Sequence, residues 1–165
     1  MKEKMNQMLE SIKKDLIFMA NDVEDAIYKS LKALENQDKK MAAEVIDRDK
    51  QIDIQEVQIE DQILSMMALQ QPVAVDLRFI VGALKMNNDL ERIGDHAVNI
   101  ARTARQLVGE PFIKPLEDIP QMGKLVRNMM HDAVHAFIHK NTDLARDVCM
   151  RDDEVDALFL KIRNH

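Results

Sequence analysis

Acidic side chains, with two asparagines, recur at steps of three and four residues in two stretches of the sequence. One stretch contains Asp49, Asp53, Glu56 and Glu60, and the other contains Asn88, Glu91, Asp95 and Asn99. Steps of three and four place side chains on one face of an α-helix. Carboxylates four residues apart on neighbouring helices can converge on a hard cation through their oxygens. The spacing is equally typical of a solvated acidic face, so both interpretations stand at this point.

Two further features favour the metal interpretation. The pair Asp49 and Asp53, preceded by Arg48, recurs near the end of the chain as Asp152 and Asp156 preceded by Arg151. In the other stretch, Gly94 lies between Glu91 and Asp95. Glycine is a poor helix residue, so its presence there predicts close packing or access for a ligand.

Histidine is the second residue type with possible chemistry. His131, His135 and His139 are spaced four residues apart and lie on one face of a predicted helix. Two imidazoles at this spacing can chelate zinc or nickel. No third ligand is visible in the sequence, so an exposed polar face is the favoured interpretation. His96, next to Asp95, is expected to make a structural hydrogen bond.

The elements that carry these residues are predicted to be five helices. Apolar residues recur at helical spacing over 5–34 and over 39–70, where Pro72 ends the second helix. The third helix covers about 73–108, the fourth begins near Pro120, and Asn141 caps the fifth. Cys149 is expected in the core. The predicted apolar seam of the third helix consists of Met86, Leu90, Ile93, Ala97, Ile100, Ala104 and Leu107.

An internal repeat organises these helices. An offset of 103 residues superposes Arg48, Asp49 and Asp53 on Arg151, Asp152 and Asp156. We therefore predict a first three-helix repeat over 1–109 and a second repeat over 110–165 that has only its first two helices. A counterpart of the third helix would follow residue 165, so the chain is expected to be a fragment or a truncated copy. The second repeat would then expose an apolar face.

Composition excludes several classes of protein. A single cysteine excludes a disulfide framework, and no run approaches the roughly 20 apolar residues of a membrane span. The net charge of -6 argues against a nucleic-acid partner. A glycine-rich phosphate loop and the G-x-S-x-G and H-E-x-x-H motifs are missing from the sequence. We therefore expect a cytoplasmic, all-α protein that is not an enzyme.

The third helix also carries a long contiguous signature. Residues 89–97 read DLERIGDHA, preceded by DLRFI at 76–80 and LKM at 84–86. These segments, with the Arg-Asp segments of the second and fifth helices, closely resemble the PhoU family of phosphate-specific transport accessory proteins. The resemblance implies tandem three-helix bundles, of which this chain lacks the last helix.

The resemblance also implies a function and a site. Family members negatively regulate phosphate uptake and phosphate-starvation signalling, and couple the ATPase subunit of the phosphate transporter to a membrane sensor histidine kinase. A homodimer that reaches the membrane only through its partners is expected. Iron, magnesium, manganese or zinc would bind the motif carboxylates, which by position are Asp49, Asp53, Glu91 and Asp95, with Asp152 and Asp156 as an incomplete half-site.

Two alternatives come from other classes. A metal-dependent carboxylate enzyme would lose turnover in Asp53→Ala or Asp95→Ala. A structural helical dimerisation module would keep its function in both variants, with stability changed by only a few tenths of a kcal/mol.

Overall fold

Five helices account for almost all of the chain in the computed structural model, which describes residues 2–164. They are α1 (Lys2–Asn36), α2 (Lys39–Gln70), α3 (Ala74–Gln106), α4 (Asp118–Ile138) and α5 (Thr142–Arg163). No strand occurs within the described range. The predicted all-α class and the predicted helix breaks are therefore confirmed, with each bound within a few residues of its expected place.

The turns after α1 and after α4 have the same construction. Gln37 and Lys140 adopt left-handed backbone conformations with φ of 52° and 55°. The next residues, Asp38 and Asn141, each accept a hydrogen bond from a backbone N–H three positions later, at 3.0 and 3.1 Å. Such side-chain caps satisfy a backbone donor that the helix itself leaves unpaired. The offset of 103 residues found in the sequence thus also relates the backbone of the two turns.

The first three helices form a bundle in which each packs against the other two. Its core comes from side chains at helical spacing, which face inward on every helix. The largest fully buried apolar side chains are Ile12, Leu16, Met19, Val23, Ile59, Ile63, Met66 and Ile80. This bundle fixes the faces of α2 and α3 that carry the acidic residues.

The predicted apolar seam of α3 is only partly correct. Leu90, Ala97 and Ala104 are buried, but Met86 and Ile93 are only half-buried. The buried face is instead completed by small or polar residues, because α3 packs against two helices at once. These residues are Ala83, Asn87, Gly94 and Ala101.

α4 packs on α1 of this bundle. α4 lies antiparallel to α1, since Arg127 lies over the Tyr28 ring while His131 contacts Glu24. Phe137 of α4 stacks on Phe79 of α3 with ring centroids 4.8 Å apart.

α5 packs chiefly on α4, and none of its described residues is buried. The expectation that Cys149 belongs to the core is therefore wrong, because Cys149 is exposed on α5, which packs chiefly on α4. The division of the chain at residue 109 stays a prediction.

Candidate metal centre

α2 and α3 lie side by side and bring three carboxylates together. Asp49 and Asp53 are one turn apart on α2, and Asp95 faces them from α3. One oxygen of each residue lies within 4.8 Å of the others. Within residues 2–164 this is the one group of three or more potential metal ligands that converges so closely. Asp49 is half-buried, whereas Asp53 and Asp95 are exposed.

One oxygen of Asp49 shows that the group suits a cation. Oδ1 of Asp49 is buried and has no hydrogen-bond partner. Burial, followed by the charges of Asp53 and Asp95, raises the pKa of Asp49 above its usual value. A buried carboxylate oxygen without a partner is costly, and a metal ion is one of the few groups that can satisfy it. A donor set made only of carboxylate oxygens fits hard cations such as magnesium, manganese or calcium.

Glutamates continue the acidic face beyond these three residues. Burial, followed by the neighbouring Asp95 and then other carboxylates, raises the pKa of Glu91 to about 7. Burial, Glu60 and then more distant carboxylates also raise the pKa of Glu56. Glu91 is thus adjacent to the group through Asp95, although it is not one of the three converging residues. The concentration of negative charge is larger than the three aspartates alone provide.

Two positions on α3 set the geometry of this face. Asn87 is fully buried and donates a hydrogen bond of 2.9 Å from Nδ2 to the Glu56 carbonyl oxygen, which ties α3 to α2. At Gly94, a Cβ atom would lie 3.5 Å from the Ile52 side chain and 3.8 Å from Asp49 Oδ1. These are ordinary contact distances, so close packing does not require glycine here. A side chain at this position would instead place an apolar carbon beside Asp49 Oδ1.

Arg102 is a member of the site that the sequence reasoning missed. Its positive charge opposes the rise in the pKa of Asp49. The available signal was its position seven residues after Asp95, which places both on the same face of α3 two turns apart. Arg102 is exposed and supplies a cation at the edge of the acidic face.

The structure does not bring Asp152 and Asp156 to this group. Both are exposed on α5, and Asp152 borders an apolar groove between α3, α4 and α5. The preceding Arg151 is held away by Asp132 and Asp147, at 2.7 and 2.9 Å. The incomplete half-site therefore stays a prediction.

The predicted histidines occupy a different part of the molecule. His131, His135 and His139 form a row on α4 beside α1, and their neighbouring rings lie 4.4 and 5.7 Å apart. His96 is exposed on α3.

Comparison with known protein families gives a clear assignment. A family model described as the PhoU domain matches residues 16–104 and 119–165, which together are most of the sequence. The chain belongs to the PhoU family. The resemblance noted in the sequence is thereby confirmed.

Individual PhoU relatives agree with this assignment. The chain is 41% identical over 157 residues to the "Phosphate-specific transport system accessory protein PhoU homolog" of Clostridium acetobutylicum, covering 94% of this chain and 72% of that protein. It is 45% identical over 156 residues to the Aquifex aeolicus protein of the same name, covering 94% and 71%.

A solved PhoU structure also matches. The crystal structure of PhoU from Pseudomonas aeruginosa superposes with a TM-score of 0.91 at 34% identity, covering 96% of this chain and 77% of that one. Among the residues that the structure describes, no helix combines the length and apolar character needed to cross a membrane.

Proposed function

We propose that this PhoU-family chain is a negative regulator of phosphate uptake and of phosphate-starvation signalling. The observation that carries the proposal is the PhoU domain match over 16–104 and 119–165. It is supported by relatives that are named accessory proteins of the phosphate-specific transport system. Their names indicate association with the transporter, and we extend this to the present chain.

The protein acts in this proposal by binding other proteins in the cytoplasm. Its partners are the ATPase subunit of the phosphate transporter and a sensor histidine kinase, and it works as a homodimer. A regulator of this kind must bind two states of a partner with different affinity, since equal affinity shifts no equilibrium. The acidic face of α2 and α3 is a candidate for the surface that discriminates between them.

A hard divalent cation or iron ion is part of the proposal. Asp49, Asp53 and Asp95 would hold it, with Glu91 beside them, because their oxygens converge and Asp49 Oδ1 has no other partner. The ion would neutralise the acidic face and join α2 to α3. A catalytic reaction is not part of the proposal, since the relatives are named for an accessory role.

A reporter of phosphate starvation tests the regulatory role. The reporter is measured in the native host at high phosphate, with the gene deleted and then restored as this chain. We expect deletion to switch the reporter on and the restored chain to silence it. A reporter that stays off after deletion would rule out the regulatory role in that host. Metal-dependent turnover that is lost in Asp53→Ala would favour the enzyme alternative instead.

A further inference from the structure

The row of histidines on α4 has close ring contacts. The rings of His131 and His135 are 4.4 Å apart between centroids, at an interplanar angle of 39°. The His139 ring lies 5.7 Å from that of His135. Histidines one helical turn apart can bind one metal ion with a nitrogen from each. Of the two neighbouring pairs in the row, His131 and His135 have the rings that lie closer together.

The structure places a carboxylate beside the histidine row, which the sequence did not reveal. Glu24 of α1 places its Oε2 atom 3.6 Å from Nδ1 of His131. The side chains of His131 and Glu24 are 48% and 30% exposed, so an ion can reach them. One turn away, the guanidinium of Arg127 covers the Tyr28 ring at 4.8 Å and fixes the register of α1 against α4. Glu24 and His131 thus face each other because the two helices are locked side by side.

This arrangement resembles the way proteins prepare a histidine for a metal ion. At 3.6 Å the Glu24 carboxylate lies outside direct hydrogen-bond distance, but its negative charge favours the ring tautomer that carries the proton on the nearer nitrogen. The other nitrogen is then available as a ligand. With Glu24 beside Nδ1, the free nitrogen of His131 is Nε2. Neutral imidazole nitrogens favour zinc, nickel and copper over the hard cations that carboxylate oxygens favour.

We propose that His131 and His135 of α4, supported by Glu24 of α1, form a second metal site that takes zinc, nickel or copper. The site lies on a different pair of helices from the carboxylate group and does not depend on the proposed regulatory role. Both ligands come from α4 and the supporting carboxylate comes from α1, so a bound ion would strengthen the contact between His131 and Glu24. It is a distinct site, with a different metal preference from the carboxylate centre.

Titration of the metal-free chain with zinc and with nickel tests the site. Calorimetry is performed with excess magnesium, which competes for the carboxylate group. We expect one ion per chain in the wild type and at least a tenfold loss of affinity in His135→Ala. The carboxylate Glu24 acts through His131, so Glu24→Gln is expected to weaken binding by about tenfold. His96→Ala, which removes a lone exposed histidine, is the matched control and should bind as the wild type does.

Two further variants locate the site within the row. His139→Ala should bind zinc as the wild type does, whereas His131→Ala should bind as weakly as His135→Ala. Wild-type affinity in His135→Ala would overturn the proposal, and so would absence of binding to the wild type. Loss of binding in His139→Ala with normal binding in His131→Ala would move the site to the other pair and remove the role of Glu24. Normal binding in all of these variants but weak binding in Asp53→Asn would assign the zinc to the carboxylate group.

Thermal unfolding gives a second readout that tests the support from Glu24. An ion that binds only the folded chain raises the melting temperature. We expect zinc to raise the melting temperatures of the wild type and of His96→Ala. The melting temperature of His135→Ala should stay unchanged. A full rise in Glu24→Gln would show that the site does not need the carboxylate, which contradicts the supporting role of Glu24.

Discussion

Removal of one carboxylate from the acidic group should stabilise the metal-free protein and destabilise the metal-bound one relative to wild type. The suitable substitution is Asp53→Asn, because Asp53 is exposed and makes no side-chain hydrogen bond among the described residues. The substitution keeps the size of the side chain and removes its charge. It therefore changes the electrostatics of the group with little effect on packing.

The magnitude follows from the distances. Two unit charges 4.8 Å apart repel by about 1 kcal/mol in water and by about 3.5 kcal/mol at an effective dielectric constant of about 20. Asp53 is exposed, so the lower figure applies, and it has two close neighbours, Asp49 and Asp95. We therefore expect the free energy of unfolding in EDTA to rise by about 1–2 kcal/mol in the variant at low salt.

With an ion bound, the wild type should instead be more stable than Asp53→Asn. Manganese at 100 times its Kd stabilises the wild type by about 2.7 kcal/mol. A variant that binds 100-fold more weakly gains only about 0.4 kcal/mol at the same concentration. The wild type should then be the more stable of the two by up to about 1 kcal/mol.

Urea denaturation with EDTA and with manganese measures both effects, and Asp61→Asn on the exposed side of α2 is the matched control. Manganese should raise the free energy of unfolding of the control by as much as it raises that of the wild type. If manganese raised the free energy of unfolding equally in Asp53→Asn and in the wild type, the metal centre would be refuted. A variant less stable than wild type in EDTA would refute the argument from repulsion.

Three further predictions concern single positions. The pKa of Glu91 is raised from 4.5 to about 7, so its contribution to stability is present below pH 4.5 and is lost as the pH rises through 7. Urea denaturation in EDTA should therefore show stability falling over that interval, with a smaller fall in Glu91→Gln; an identical fall would contradict the assignment. Gly94→Ala should raise the free energy of unfolding by up to about 1 kcal/mol, because alanine favours helix more than glycine does. The same substitution should weaken manganese binding, because the added methyl group would lie beside Asp49 Oδ1. Manganese binding in Gly94→Ala that is stronger than in the wild type would contradict this effect of the methyl group. Asp38→Ala and Asn141→Ala should each cost about 1 kcal/mol in chemical denaturation, because each removes an equivalent helix cap, and a cost in only one would argue against equivalent turns.

The helices could be predicted from the sequence because their signals are local. Pro72 stops α2, and Asp38 and Asn141 cap the helices that follow them. The internal repeat also indicated that two turns are alike, since positions 103 residues apart adopt the same backbone conformation. The convergence of Asp49, Asp53 and Asp95 was also predictable in outline, because short connections make adjacent helices antiparallel neighbours.

Other features depend on which helices meet, and the sequence of one helix does not contain that information. The buried face of α3 includes Asn87 and Gly94 because two helices press on it, which apolar periodicity alone does not reveal. Cys149 has a core-like position in an apolar stripe, yet it is exposed, because α5 packs chiefly on α4. The contact of Glu24 with His131 joins residues far apart in the chain and needed the packing of α1 on α4.

The most direct test of the central claim joins the acidic group to regulation. Phosphate-starvation reporter expression is measured at high phosphate in a deletion strain that carries wild type, Asp53→Asn or Asp61→Asn at equal protein levels. The account predicts that wild type and Asp61→Asn silence the reporter and that Asp53→Asn leaves it on. Full silencing by Asp53→Asn would contradict a regulatory role for the carboxylate group.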